Sequence, residues 1–122
     1  MTFLVVDDSP TMRRIICNSL RDIGYTEMHE AEDGQDALGR LDCTPIDFVI
    51  TDWNMPTMNG LALTKSIRTH PELDEIPILM ITTRGMQEDV VAAMHARVNN
   101  YIVKPFTPVV LREKIDTILK AA

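Results

Sequence analysis

Short, nearly continuous apolar runs separated by longer stretches of helical spacing leave a chain few ways to fold. TFLVV (Thr2 to Val6), DFVIT (Asp47 to Thr51), PILMI (Pro77 to Ile81) and YIV (Tyr101 to Val103) lack the polar alternation of a half-exposed strand. Such runs suit strands covered on both faces, as in a parallel sheet. EMHEA (Glu27 to Ala31) is shorter in apolar residues and is expected near an edge.

The intervening segments repeat at three and four residues. From Thr11 to Ile23 the recurring positions are Met12, Ile15, Ile16, Ser19, Leu20 and Ile23. Ser9 is placed to cap this helix, Pro10 suits its first turn and Gly24 ends it. Shorter patterns cover Gln35 to Leu41, Gly60 to His70, Met86 to Ala96 and Pro108 to Leu119. Strands and helices thus alternate, and right-handed crossovers make this an α/β fold, a doubly wound parallel sheet with helices on both faces. At 122 residues, one domain over residues 1–122 without a separate output domain is expected.

Composition narrows the function. No window approaches the roughly 18 apolar residues of a membrane span, and MTFLVVDDSP has no basic region typical of a signal peptide. A formal net charge of -6 argues against a nucleic-acid surface, which must displace counterions from phosphates. Proteins and cations are the expected partners, and neither nucleic acid nor membrane. Cys17 and Cys43 form no ligand cluster and read as small packing residues in a reducing cytoplasm.

In an open α/β sheet ligands bind beyond the carboxyl ends of the strands. There the chain places Asp7 and Asp8, then Asp52-Trp53-Asn54, then Thr82-Thr83, then Lys104-Pro105. Singly, each has an ordinary explanation. Asp7 and Asp8 would favour a helix start, Thr82 or Thr83 would cap a helix, and Lys104 would be a solvated lysine. Together, carboxylates converging on one edge repel and are expected to titrate high unless a cation neutralises them. Mg²⁺, held by one or two carboxylates together with water and phosphate oxygens, fits such a site, whereas zinc would want His or Cys. Lys104 and a threonine hydroxyl complete a cradle for a phosphoryl group, with Asp52, held still and half exposed, as the nucleophile of an acyl phosphate.

These residues, with Met55-Pro56, Gly60, Tyr101 and Lys104-Pro105-Phe106, resemble the receiver domain of bacterial two-component response regulators over essentially the whole chain. TMRRI (Thr11 to Ile15) and DWNMP (Asp52 to Pro56) resemble the single-domain chemotaxis members. The resemblance implies a flavodoxin-like, five-stranded sheet in the order 2-1-3-4-5. It implies that Asp52 accepts a phosphoryl group from a sensor histidine kinase, and that Asp8, Asp52 and the main-chain carbonyl of Asn54 bind Mg²⁺, with Asp7 acting through water. It further implies that Thr82 and Lys104 contact the phosphoryl group, that Tyr101 turns into space vacated by Thr82, and that the Lys104-Pro105 peptide is cis.

The output would be phosphorylation-dependent binding of a target, the flagellar motor switch, through the fourth helix, fifth strand and fifth helix. Glu88, Asp89, Arg112 and Lys114 populate that face. A monomer that also meets a phosphatase is implied. Two departures stand out: Arg97 where glycine is usual, so that Asn99 or Asn100 could take the left-handed position instead, and Arg84 two residues beyond Thr82.

A stand-alone phosphorelay or phosphate-sink receiver is the alternative, and sequence separates it poorly from a motor regulator. A Mg²⁺-dependent aspartyl phosphatase would need a second acid two positions after the nucleophile, where Asn54 cannot shuttle a proton. A flavin carrier would place its phosphate loop against Asp7 and Asp8. No P-loop supports a kinase, so the chain is read as a switch and not an enzyme.

Overall fold

Parallel pairing dictates the architecture of the computed structural model, which describes residues 1–121. The elements are β1 (Thr2–Val6), α1 (Pro10–Ile23), β2 (Glu27–Ala31), α2 (Gly34–Cys43), β3 (Phe48–Thr51), α3 (Gly60–Arg68), β4 (Ile78–Thr82), α4 (Gln87–His95), β5 (Asn100–Val103) and α5 (Pro108–Ala121). The strands form one sheet in the order β2-β1-β3-β4-β5, so β3 is central and the polar β2 lies at an edge. Every pairing is parallel, which brings all carboxyl ends to one side. No helix among the described residues is long and apolar enough to cross a membrane.

The apolar runs divide by alternation between two cores. Leu4, Val6, Val49, Ile78 and Met80 face Ala37 and Leu41 of α2, Leu63 and Ile67 of α3, and Ala93 of α4. Phe3, Val5, Phe48, Ile50, Leu79 and Ile81 face Ile16 and Leu20 of α1 and Leu111, Ile115 and Ile118 of α5. Most of these strand residues are fully buried, each contributing about 1.5–3 kcal/mol of transfer free energy.

Helix ends follow local chemistry. The Ser9 hydroxyl oxygen accepts from Met12 N at 3.2 Å, and Gly24 closes α1 at φ 119°. Asp33 and Asn59 cap α2 and α3. By contrast, α4 begins after Met86, which offers no side-chain cap, and buries only Ala93. Threonine 82 is the last residue of β4 rather than a helix cap. Cys17 is buried and its thiol is pushed up by burial, whereas Cys43 is exposed at the end of α2 and is not a packing residue.

The turn after α4 keeps its left-handed conformation despite lacking glycine. Arg97 has φ 72°, while Asn99 and Asn100 do not have positive φ. Arg97 N donates to Met94 O at 3.0 Å and Val98 N to Ala93 O at 3.2 Å, the paired bonds of a Schellman motif. Arg68 Nη2 and Nε grip Arg97 O at 2.8 and 3.1 Å. Asn99 serves the sheet instead, its Oδ1 accepting from Ile78 N at 2.8 Å.

A side chain in that region costs roughly 1–2 kcal/mol, against which glycine loses about 0.5–1 kcal/mol of backbone entropy. The nearby Arg68 guanidinium, lowered in pKa by burial and by Arg97, adds like-charge repulsion. Arg97→Gly is therefore expected to stabilise the fold by about 0.5–1 kcal/mol, seen as a higher urea midpoint at unchanged m. A lower midpoint would show that the Arg97 side chain earns its place through contacts.

Candidate functional site

Main-chain hydrogen bonding carries the sheet one residue past the strands and so positions the chemistry. Asp7 N donates to Ala31 O at 3.1 Å, Asp52 N to Val6 O at 2.9 Å and Lys104 N to Thr82 O at 2.8 Å. The polar residues that follow β1, β3 and β5 are thus fixed at their Cα atoms by the ladder itself. Carboxylate oxygens of Asp7, Asp8 and Asp52 all lie within 4.8 Å of one another.

The three acids differ in surroundings. Asp7 is 1% exposed, Asp52 is 9% exposed rather than half exposed, and Asp8 is open to solvent. Asp52 is drawn in because its own main chain and Lys104 hold both oxygens: Trp53 N donates to Oδ1 at 2.7 Å and Lys104 Nζ to Oδ2 at 3.3 Å. Lys104 also reaches Asp7 Oδ2 at 3.1 Å, and Ser9 N donates to Asp7 Oδ1 at 2.9 Å. Burial nevertheless outweighs these partners and raises the Asp7 carboxyl above its ordinary 3.8. A buried acid disfavoured as an anion, two further carboxylates and no His or Cys in the cluster form an oxygen donor set suited to Mg²⁺.

Close backbone approach aligns the loop that follows Asp52. Gly60 N donates to Trp53 O at 2.8 Å, and a Cβ on Gly60 would collide with Asp52 O. Only glycine can therefore start α3 without displacing Asp52. Across the loop, Gly34 N donates to Met58 O at 3.1 Å, and a Cβ on Gly34 would strike Met58.

Thr82 is fully buried, its hydroxyl oxygen accepting from Arg84 N at 3.4 Å. Tyr101 is 8% exposed and already turned inward, donating its hydroxyl to Arg84 O at 2.7 Å. Burial, then Asp89, pushes this phenol up and keeps it a neutral donor. Asn54 is exposed, with Oδ1 accepting from Arg84 Nε at 3.0 Å. The Lys104-Pro105 peptide is cis.

Two contributors escape a reading of strand ends alone. Arg13 of α1 donates from Nη1 to Asp7 O at 2.7 Å and from Nε to Glu30 at 3.0 Å, bracing the first acid. Its signal in sequence is a basic residue in the first helical turn after an acidic pair. Trp53 is buried, and the Arg84 guanidinium lies 4.7 Å from its ring centroid; nothing local in sequence announces that pairing.

Comparison with known proteins agrees with this geometry. Residues 3–116 match the response regulator receiver domain. Chemotaxis protein CheY1 of Helicobacter pylori is 55% identical over 120 residues, covering 98% of this chain and 97% of the relative. Chemotaxis protein CheY-3 of Vibrio cholerae is 51% identical, covering 98% and 92%. Among solved structures, chemotaxis response regulator CheY4 of Vibrio cholerae superposes with a TM-score of 0.88 at 33% identity, covering 96% and 97% of the two chains. The receiver domain of a sensor histidine kinase of Pseudomonas aeruginosa, solved with a magnesium ion in its active site cleft, gives 0.87 at 26% identity, covering 98% and 97%. The match in sequence, fold and acidic cleft together means that the chain belongs to the response regulator receiver family and, within it, to the chemotaxis regulators of the CheY type.

Proposed function

We propose that Asp52 is the phosphoacceptor of this receiver and that phosphorylation controls binding of a motor target. The observation that carries the assignment is the pinning of Asp52 between Trp53 N and Lys104 at the end of the central strand, rigid yet reachable, whereas Asp7 is sealed and Asp8 is solvated. An Asp52 oxygen forms the new bond to phosphorus while the bond from phosphorus to the imidazole nitrogen of the kinase histidine breaks, its electron pair leaving with the imidazole. Asp8, Asp52 and the Asn54 carbonyl, with Asp7 through water, would hold Mg²⁺, which when bound would neutralise phosphoryl charge. Lys104 and the Thr82 hydroxyl take phosphoryl oxygens, and Tyr101 reports the change.

The phosphodonor is a sensor histidine kinase, and the chain acts as a monomer on which a phosphatase also works. The target, a flagellar motor switch protein, docks on α4, β5 and α5. Exposed Met94, Val103 and Val109 support that face, flanked by Arg112 and Lys114. A phosphorelay or phosphate-sink role is separated by measuring affinity for a flagellar switch peptide with and without beryllofluoride. A phosphorylation-dependent gain supports the motor role, and its absence removes it.

Asp52→Asn is expected to abolish labelling by acetyl phosphate and Mg²⁺, measured by intact mass; persistent stoichiometric labelling would refute the acceptor assignment. Lys104→Ala is expected to leave Mg²⁺ binding intact or a few-fold tighter, since it removes a cation competing for Asp7 and Asp52, while Tyr101 no longer responds to phosphorylation. Mg²⁺ titration by Trp53 fluorescence and the Tyr101 ring resonances check both halves.

Asp7 adds a pH signature. With its folded pKa raised, the folded state binds more protons than the unfolded one above pH 3.8, so this group's contribution makes metal-free stability fall as pH rises through that window. Asp7→Asn is expected to flatten that portion of the stability profile and to stabilise the metal-free protein at neutral pH. Denaturation across pH 3 to 8, roughly the range spanned by carboxylate titration, checks the sign.

A further inference from the structure

The first turn of α4 is held from outside the helix. Met86 provides no side-chain cap, and only main-chain bonds from Asp89 N and Val90 N to Met86 O, at 3.0 and 3.1 Å, close the turn. The external tie is Arg84. Its Nη1 reaches Asp89 Oδ1 at 3.4 Å, and the pair is part-buried, with side-chain exposures of 41% and 23%. The same guanidinium donates from Nε to Asn54 Oδ1 at 3.0 Å and lies over Trp53. Asn54 and Trp53 are the two residues that follow Asp52. One side chain therefore spans the acceptor loop and the start of α4, separately from the Arg84 carbonyl that receives the Tyr101 hydroxyl.

On the reading that Asp52 is the acceptor, we propose that the Arg84 guanidinium exchanges Asp89 for the phosphoryl group, so that phosphorylation unties the first turn of α4. A phosphoryl group carries about −1.5 to −2 charges and several strong acceptor oxygens, against the single charge of Asp89. Charge-assisted bonding to it is short and strong. The guanidinium is already held by Trp53 and Asn54, the two residues that follow Asp52, and the end that meets Asp89 is the one that changes partner. The turn it leaves has no cap to fall back on. Because α4 contributes to the proposed docking face, loosening its first turn changes that face by a route distinct from the Tyr101 ring.

The test is amide hydrogen exchange at Asp89 and Val90 in the whole chain, with Mg²⁺ alone and with Mg²⁺ plus beryllofluoride, whose fluorine resonance separately reports binding. In the wild type, exchange is expected to rise about two- to fivefold on beryllofluoride binding, the range a partly exposed ion pair supplies. Asp89→Asn should show the faster exchange beforehand and no further rise with the mimic bound, and Arg84→Ala should do the same at beryllofluoride concentrations raised until the fluorine resonance reports saturation. Bound beryllofluoride with unchanged Asp89 and Val90 exchange in the wild type, or a full wild-type response in either variant, overturns the exchange of partners while leaving the acceptor assignment intact. Absence of a bound fluorine resonance in the wild type overturns the acceptor assignment itself, and this inference with it.

Discussion

The contact of Lys104 with both Asp7 and Asp52 is the interaction around which the cleft is arranged. Three carboxylates within 4.8 Å of each other repel, and two of them are largely withdrawn from water. The ammonium offsets part of that repulsion, yet burial still raises Asp7. The fold therefore carries a site whose charge is incompletely balanced, and a divalent cation or a proton relieves it. This is a physical reason for coupling metal binding to stability, since whatever neutralises the acids in the folded state stabilises that state.

Rigidity and looseness are distributed unevenly about this cleft. On the Asp52 side, the ladder bond from Asp52 N to Val6 O holds the strand end, Gly60 N closes on Trp53 O, and no Cβ fits at Gly60. On the other side, α4 lacks a side-chain cap and buries a single residue, and Arg84 ties it across to Trp53 and Asn54. On the proposed reading, the carboxylate that attacks phosphorus benefits from this fixed main chain. A weakly held helix, on the proposed reading, lets a small change in charge shift its population.

Strand and helix identities could be read from periodicity because burial on both faces demands near-continuous apolar runs, and the apolar stripes of α1 and α5 demand helical spacing. Boundaries moved by one or two residues where hydrogen bonding decided them: β4 extends to Thr82, α3 stops at Arg68, and α5 runs to Ala121. Arg97 shows the limit of local propensity. Its left-handed φ is imposed by the Schellman bonds and by the grip of Arg68 on its carbonyl, a contact formed 29 residues away in sequence.

The sequence by itself determined the alternation of elements, the acids and the lysine at the strand ends, and the family they resemble, because each is written in local pattern or residue type. Tertiary structure alone decided that Asp52 is nearly buried, that Gly60 must lack a side chain, that Tyr101 sits inward on the Arg84 carbonyl, and that Arg84 reaches Trp53, Asn54 and Asp89 together. Exposure, close approach and side-chain pairing depend on which segments the sheet brings side by side. No window of neighbouring residues contains that information.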